Sequence, residues 1–156
     1  MSIALNICEQ IRAYIASDPV AAALGAVYAQ TWDTAVRYEF VEDATELDTL
    51  DVSIVPGELS HERVGREVAR TSFTVGVSLT KRIEPAEIPA LADFAETLFF
   101  ALQQLPTSRP EHTRGVELAE VRTETVYSNK TLDTVRTFDA LIVLSFNIFY
   151  KKGGIS

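Results

Sequence analysis

Cysteine is nearly absent from this chain. A single thiol, Cys8, in 156 residues excludes an intramolecular disulfide framework and a cysteine-clustered zinc site, and it fits a reducing compartment. Histidine is almost as scarce: His61 and His112 stand 51 positions apart, with no HxH, HExxH or CxxC spacing anywhere. A serine or cysteine nucleophile would have to recruit one of them as its base. No GxGxxG, P-loop or GxSxG motif occurs. Long apolar runs are missing too. The longest uncharged stretch, Pro19 to Trp32, is 14 residues, against about 20 needed to cross a bilayer. No basic stretch precedes an apolar one at the N-terminus, so a soluble, cytoplasm-made protein with no membrane partner is expected. Bases are outnumbered 14 to 22, and a net charge of −8 opposes binding to free duplex DNA.

What is present is enough apolar material for one core. At 47% hydrophobic residues the chain is no disordered polymer, and its length suits a single domain, 1–156. Six acids and no base fall between Glu39 and Asp51, which reads as a solvated, mobile loop. That run lacks the alternating acids and central glycine of an EF-hand loop. The pairs Glu84/Glu87 and Asp43/Glu46 read as solvated helix-start and loop acids rather than as a catalytic dyad. Cys8, beside Ile7 and Ile11, reads as a buried structural thiol. No catalytic, cofactor-binding or metal-ligating set emerges, and an enzyme is not expected.

Hydrophobic periodicity sets out the elements. Ile3, Ile7, Ile11 and Ile15 recur every fourth residue and predict an amphipathic helix over roughly 3 to 17, with Ser2 as N-cap and Asp18-Pro19 as its stop. The small residues 20 to 27 fit either a helical turn or a packed loop. The period then changes to two: Val36, Tyr38 and Phe40 predict one strand, and Leu50, Val52 and Ile54 a second that ends at Pro56-Gly57. Residues 58 to 66 read as an exposed loop or a long hairpin arm. Phe73, Val75, Val77 and Leu79 alternate in the clearest strand of this half.

Glu84-Pro85 opens a second helix, or Pro89 a turn later, with Ile88, Leu91, Phe94, Ala95, Leu98, Leu102 and Leu105 as its apolar stripe and Pro106 as its stop. Two strands follow, about 116 to 127 and 133 to 150, joined by the tight-turn residues 128 to 131 as an antiparallel hairpin. In the last strand Phe138, Ala140, Ile142, Leu144, Phe146, Ile148 and Tyr150 share one face, while Leu141, Val143 and Phe149 make the other face partly apolar. Such a strand is central in its sheet or covered by another subunit. The residues 151–156 read as a frayed tail. The order α-β-β-β-α-β-β predicts an α+β fold, a mostly antiparallel sheet with helices on one face.

Phe94, Phe99, Phe100, Phe138 and Phe146 read as core; Tyr28 and Trp32 as core or interface. The arginines 63, 66 and 70 have two readings. They charge an exposed loop for solubility, or they tip an arm, about 58–70, whose guanidinium groups pair with acids on a neighbouring subunit. The candidate subunit contacts are Glu62, Arg63, Arg66 and Arg70 on the arm, with Leu141 and Val143 on the last strand.

One pattern joins these features: an N-terminal amphipathic helix, a strand ending in Ser53-Ile54-Val55-Pro56-Gly57, an arginine-bearing stretch from Glu62-Arg63 to Arg70, an alternating strand from Thr71 to Arg82, then a helix and a terminal hairpin. In order of elements, over nearly the whole chain, it resembles the tail terminator and tail-completion (head–tail joining) proteins of tailed bacteriophages. The acidic run 39 to 51 has no counterpart in that pattern. The resemblance implies a non-enzymatic virion protein that caps the tail tube as a ring, commonly a hexamer. Its partners would be further copies of itself, the tail tube protein and neck or connector proteins, with DNA passing through unbound. It would be made in the host bacterial cytoplasm and reside in the virion tail or neck. A head-completion or stopper protein of the neck is the nearest alternative, and a small-ligand-binding α+β module the alternative from another class.

Overall fold

Ile7, Ile11 and Ile15 are almost wholly inaccessible (1%, 0% and 0%), as a four-residue repeat on one helix face demands. They belong to α1, Ile3–Ile15. The computed structural model describes residues 3–38, 48–63, 68–82, 85–105, 115–125 and 137–151. Ser2, the expected N-cap, the acidic residues 39–47 and the tight turn 128–131 lie outside them.

Asp18-Pro19 does not merely stop α1; it starts a second helix, α2, Asp18–Val27, with proline in the first turn, where no N–H is needed. The Ser17 backbone carbonyl accepts the first bond of that helix from Ala21 N–H at 2.8 Å. The first strand, β1, is Trp32–Val36. It sits earlier than the alternation of Val36, Tyr38 and Phe40 suggests. Tyr38 is instead exposed beyond the strand end, and Phe40 lies outside the described residues.

The second strand, β2, runs Leu50–Arg63, straight through Pro56-Gly57 rather than ending there. A register shift between Pro56 and Leu59 absorbs the irregularity, as a bulge does. Residues 58–63 are therefore strand, and the long hairpin arm, not the loop, is what forms. Its partner β3, Val68–Arg82, pairs with β2 on one side and with the last strand, β5 (Thr137–Lys151), along its whole length on the other. The arm is thus the far end of the sheet, not a freestanding ribbon.

A single 3₁₀ turn, Pro85–Glu87, leads into α3, Ile88–Leu102, and β4 is Gly115–Thr125. The sheet order is β1-β2-β3-β5-β4, with β1 parallel to β2 and every other pairing antiparallel. The observed order α-α-β-β-β-α-β-β is α+β, with one helix more than the periodicity alone declares.

All helices cover one face. α1 lies against β1, β2 and β3, and α3 against β4 and β5. The Tyr14 hydroxyl donates to the Ala101 carbonyl at 2.9 Å, tying α1 to the end of α3. The core between the layers takes Leu50, Val52 and Ile54 of β2, Phe73 to Leu79 at alternate positions of β3, and Phe138, Ala140, Ile142, Leu144, Phe146 and Ile148 of β5. The opposite face is mostly hydroxyl-bearing: Ser53, Ser78, Thr80 and Thr137 are buried there.

Candidate functional site

Among the described residues no group of three His, Cys, Asp or Glu is placed to hold a metal. Cys8 is fully buried, and its thiol is pushed up to about 11 by that burial and by neighbouring Glu9, so it stays protonated and unreactive. His112 lies outside the described residues. His61 stands on β2, at the far end of the sheet.

The polar cluster that does form joins β1 to β2. Arg37 donates through Nε to the Ser53 hydroxyl and through Nη2 to Asp51 Oδ1, each at 2.9 Å, while Ser53 Oγ donates to Asp51 Oδ2. A serine bonded to a carboxylate is the beginning of a catalytic relay, but Ser53 has no exposed surface for a substrate to reach. Asp51, read as the end of a solvated acidic run, is buried instead (5%), because it falls inside β2 and Arg37 balances it. Lys81 and Glu87 also form a pair, Nζ lying 3.1 Å from Oε2. Glu87 is thus no free helix-start acid.

The assembly candidates separate in space. Glu62 stands across from Arg70, and Arg63 across from Ala69, at the far end of the hairpin. Arg66 lies outside the described residues. Arg70 is partly buried on the hydroxyl-bearing face. Leu141 and Val143 share that face but lie farther down β5, opposite Ser78 and Gly76. Val143 is 7% exposed within a single chain. Gly76 carries no side chain in the row Val55–Gly76–Val143, and both valines are buried. Within a single chain Val143 therefore presents little accessible surface. Among the described residues, Glu62, Arg63 and Arg70 therefore stand apart along the sheet from Leu141 and Val143.

The surfaces left open are others. β1 pairs with β2 only from Leu50 to Ile54, so the outer edge of β2 beyond Val55 has no strand partner among the described residues. The outer edge of β4 has none either. These edges bound opposite margins of one sheet, and unpaired edges are templates for further strands. Beside β4 an apolar groove of about 320 Å³ opens between α3 and the sheet, lined by Ala95, Glu96, Phe99, Phe100, Thr123, Ala140 and Ile142. A second hollow, about 310 Å³, lies at the bulge around Leu59 and Ser72. Phe100, expected in the core, is 63% exposed, and Leu59 64%.

Sequence reasoning missed both. Phe100 follows Leu98 by two positions, about 200° around a helix whose stripe is Leu91, Phe94, Ala95, Leu98 and Leu102, so its outward aim was available. Leu59 becomes informative only once β2 is known to pass through Pro56-Gly57.

No protein-family model matches this chain, and a search of curated proteins finds no match. Among the described residues no helix is long and apolar enough to cross a membrane.

Proposed function

We propose that this chain is a non-enzymatic structural protein that assembles head to tail into a ring and, as its pattern of elements resembles, terminates a phage tail tube and joins it to the head. The carrying observation is the pair of free edges, β2 beyond Val55 and β4, on opposite margins of one sheet. Two different surfaces on one molecule give a heterologous contact, which closes into a ring when the rotation permits. Strand directions support it. β2/β3, β3/β5 and β5/β4 are each antiparallel, so β4 runs opposite to β2. A neighbour's β2 laid beside β4 in the same orientation prolongs an antiparallel sheet, with every copy's helices on the same side.

Sedimentation over a range of concentrations, with electron microscopy of the protein alone and mixed with tail tubes, tests the reading. Rings, and binding at tube ends, are expected. A protein that stays monomeric and never associates with tubes overturns it, and binding to the portal side instead of the tube would favour a neck stopper. The apolar groove is the one feature favouring a small-ligand module; dose-dependent thermal stabilisation in a ligand screen would support that alternative.

A further inference from the structure

Resting on the ring reading, we infer that Leu59 of one copy seats in the groove between α3 and β4 of the next, and that this contact sets the stagger between subunits. Leu59 stands directly across from Phe73, whose ring stacks on Phe146 at 5.2 Å in the helix-covered core. Leu59 is therefore on the helix-bearing face, on the stretch of β2 that has no outer partner among the described residues. The groove opens on that same face at the opposite margin, with Phe99 and Phe100 on one wall, Thr123 on the other, and Ala140 and Ile142 beneath. Head-to-tail continuation of the sheet thus puts knob and groove on one side. Three large hydrophobic side chains stand widely exposed among the described residues, Tyr38, Leu59 and Phe100, and this contact buries two of them.

Register gives the offset. Leu59 shares a cross-strand row with Phe73, Phe146 and Leu118, whereas the groove lies at the row of Ile142 and Thr123. The rows are four residues apart along β5, about 13 Å at ~3.3 Å per residue. A sheet that closes on itself requires such a fixed stagger between strands.

The test uses complementary spoiling. Leu59→Lys keeps a sound groove, Phe100→Lys keeps a sound knob, and Tyr38→Lys is the control. Each lysine chain at 59 or 100 is expected to sediment as a monomer where the unaltered protein forms rings. Mixed in equal amounts they form a one-to-one dimer and nothing larger, and the Tyr38 variant assembles normally. Should a lysine variant fail to fold by circular dichroism, separate Leu59→Cys and Phe100→Cys chains mixed under oxidation are expected to give a disulfide-linked dimer; Cys8, being buried, does not compete. Rings from either lysine variant alone, a mixture that gives no dimer, equal loss in the Tyr38 control, or no cross-link between the cysteine chains would overturn the seating while leaving ring assembly standing. An unaltered protein that remains monomeric with and without tubes overturns both.

Discussion

Gly57 of β2 lies hard against Thr74 of β3. A Cβ built there would meet the Thr74 hydroxyl and come within 3.0 Å of the Thr74 carbonyl oxygen. Backbone cannot yield cheaply, so Gly57→Ala should cost about 1–3 kcal/mol through strain, read as a lower urea midpoint with unchanged slope. Glu87 is a second sensitive position. Its carboxylate is the anionic partner of Lys81, which is 5% exposed. Glu87→Gln leaves that ammonium without a counter-charge and should cost about 3 kcal/mol, whereas Glu87→Asp tests reach alone. Asp139 behaves oppositely. Partial desolvation lifts its carboxyl above the ordinary 3.8, although the residue keeps exposed surface. The folded chain holds a proton that the unfolded chain has already released, so stability falls as pH rises between those two values and stays lowered above them. Asp139→Asn should therefore raise the urea midpoint near about pH 7 and leave it unchanged near about pH 3; an equal gain at both pH values would contradict this.

At the scale of elements, α3 is fixed by one ring. Phe94 meets Tyr28 at 5.7 Å and Trp32 at 5.6 Å, both edge-on, so it joins α2 and β1 to α3 at once. Phe94→Ala should cost about 3–5 kcal/mol, and hydrogen exchange should accelerate first in β1, a short edge strand. The same scale explains what was legible beforehand. The repeats of α1, α3, β3 and β5 are long, and each buries the face that its spacing points to. α2 was undecided because Val20–Val27 is small and apolar on every side, so no face stands out. β1 was displaced because its residues, Trp-Asp-Thr-Ala-Val, alternate less plainly than the three beyond them. The end of β2 was misplaced because Pro-Gly ordinarily terminates a strand; the close passage at Thr74 makes glycine an adaptation to continuing instead. Of the assembly residues, the arm's place in a hairpin is readable from the sequence, but the low exposure of Val143 is not, since it stands across from a glycine of the neighbouring strand. That Leu59 and Phe100 stand exposed at opposite margins of one sheet follows only from topology, which no local pattern encodes.

For the whole molecule, charge is the opposing term. Six copies would carry −48, six times −8. Few surface ion pairs contribute more than about 1 kcal/mol, so local pairs between copies would not offset a field of that size. Raising salt from about 0.01 M to about 0.15 M shortens the Debye length from about 30 to about 8 Å. The expected outcome is that assembly strengthens over this range by sedimentation; weakening would mean that the local pairs dominate.

β1 spans five residues and shields β2 only as far as Ile54. Its brevity acts as a ruler: each residue added to it would cap another rung of the neighbouring ladder and take that rung from any incoming subunit. On the proposed assembly, a modest peripheral strand thereby meters how much of one molecule is on offer to the next, and lengthening it would be the simplest way to keep the protein solitary.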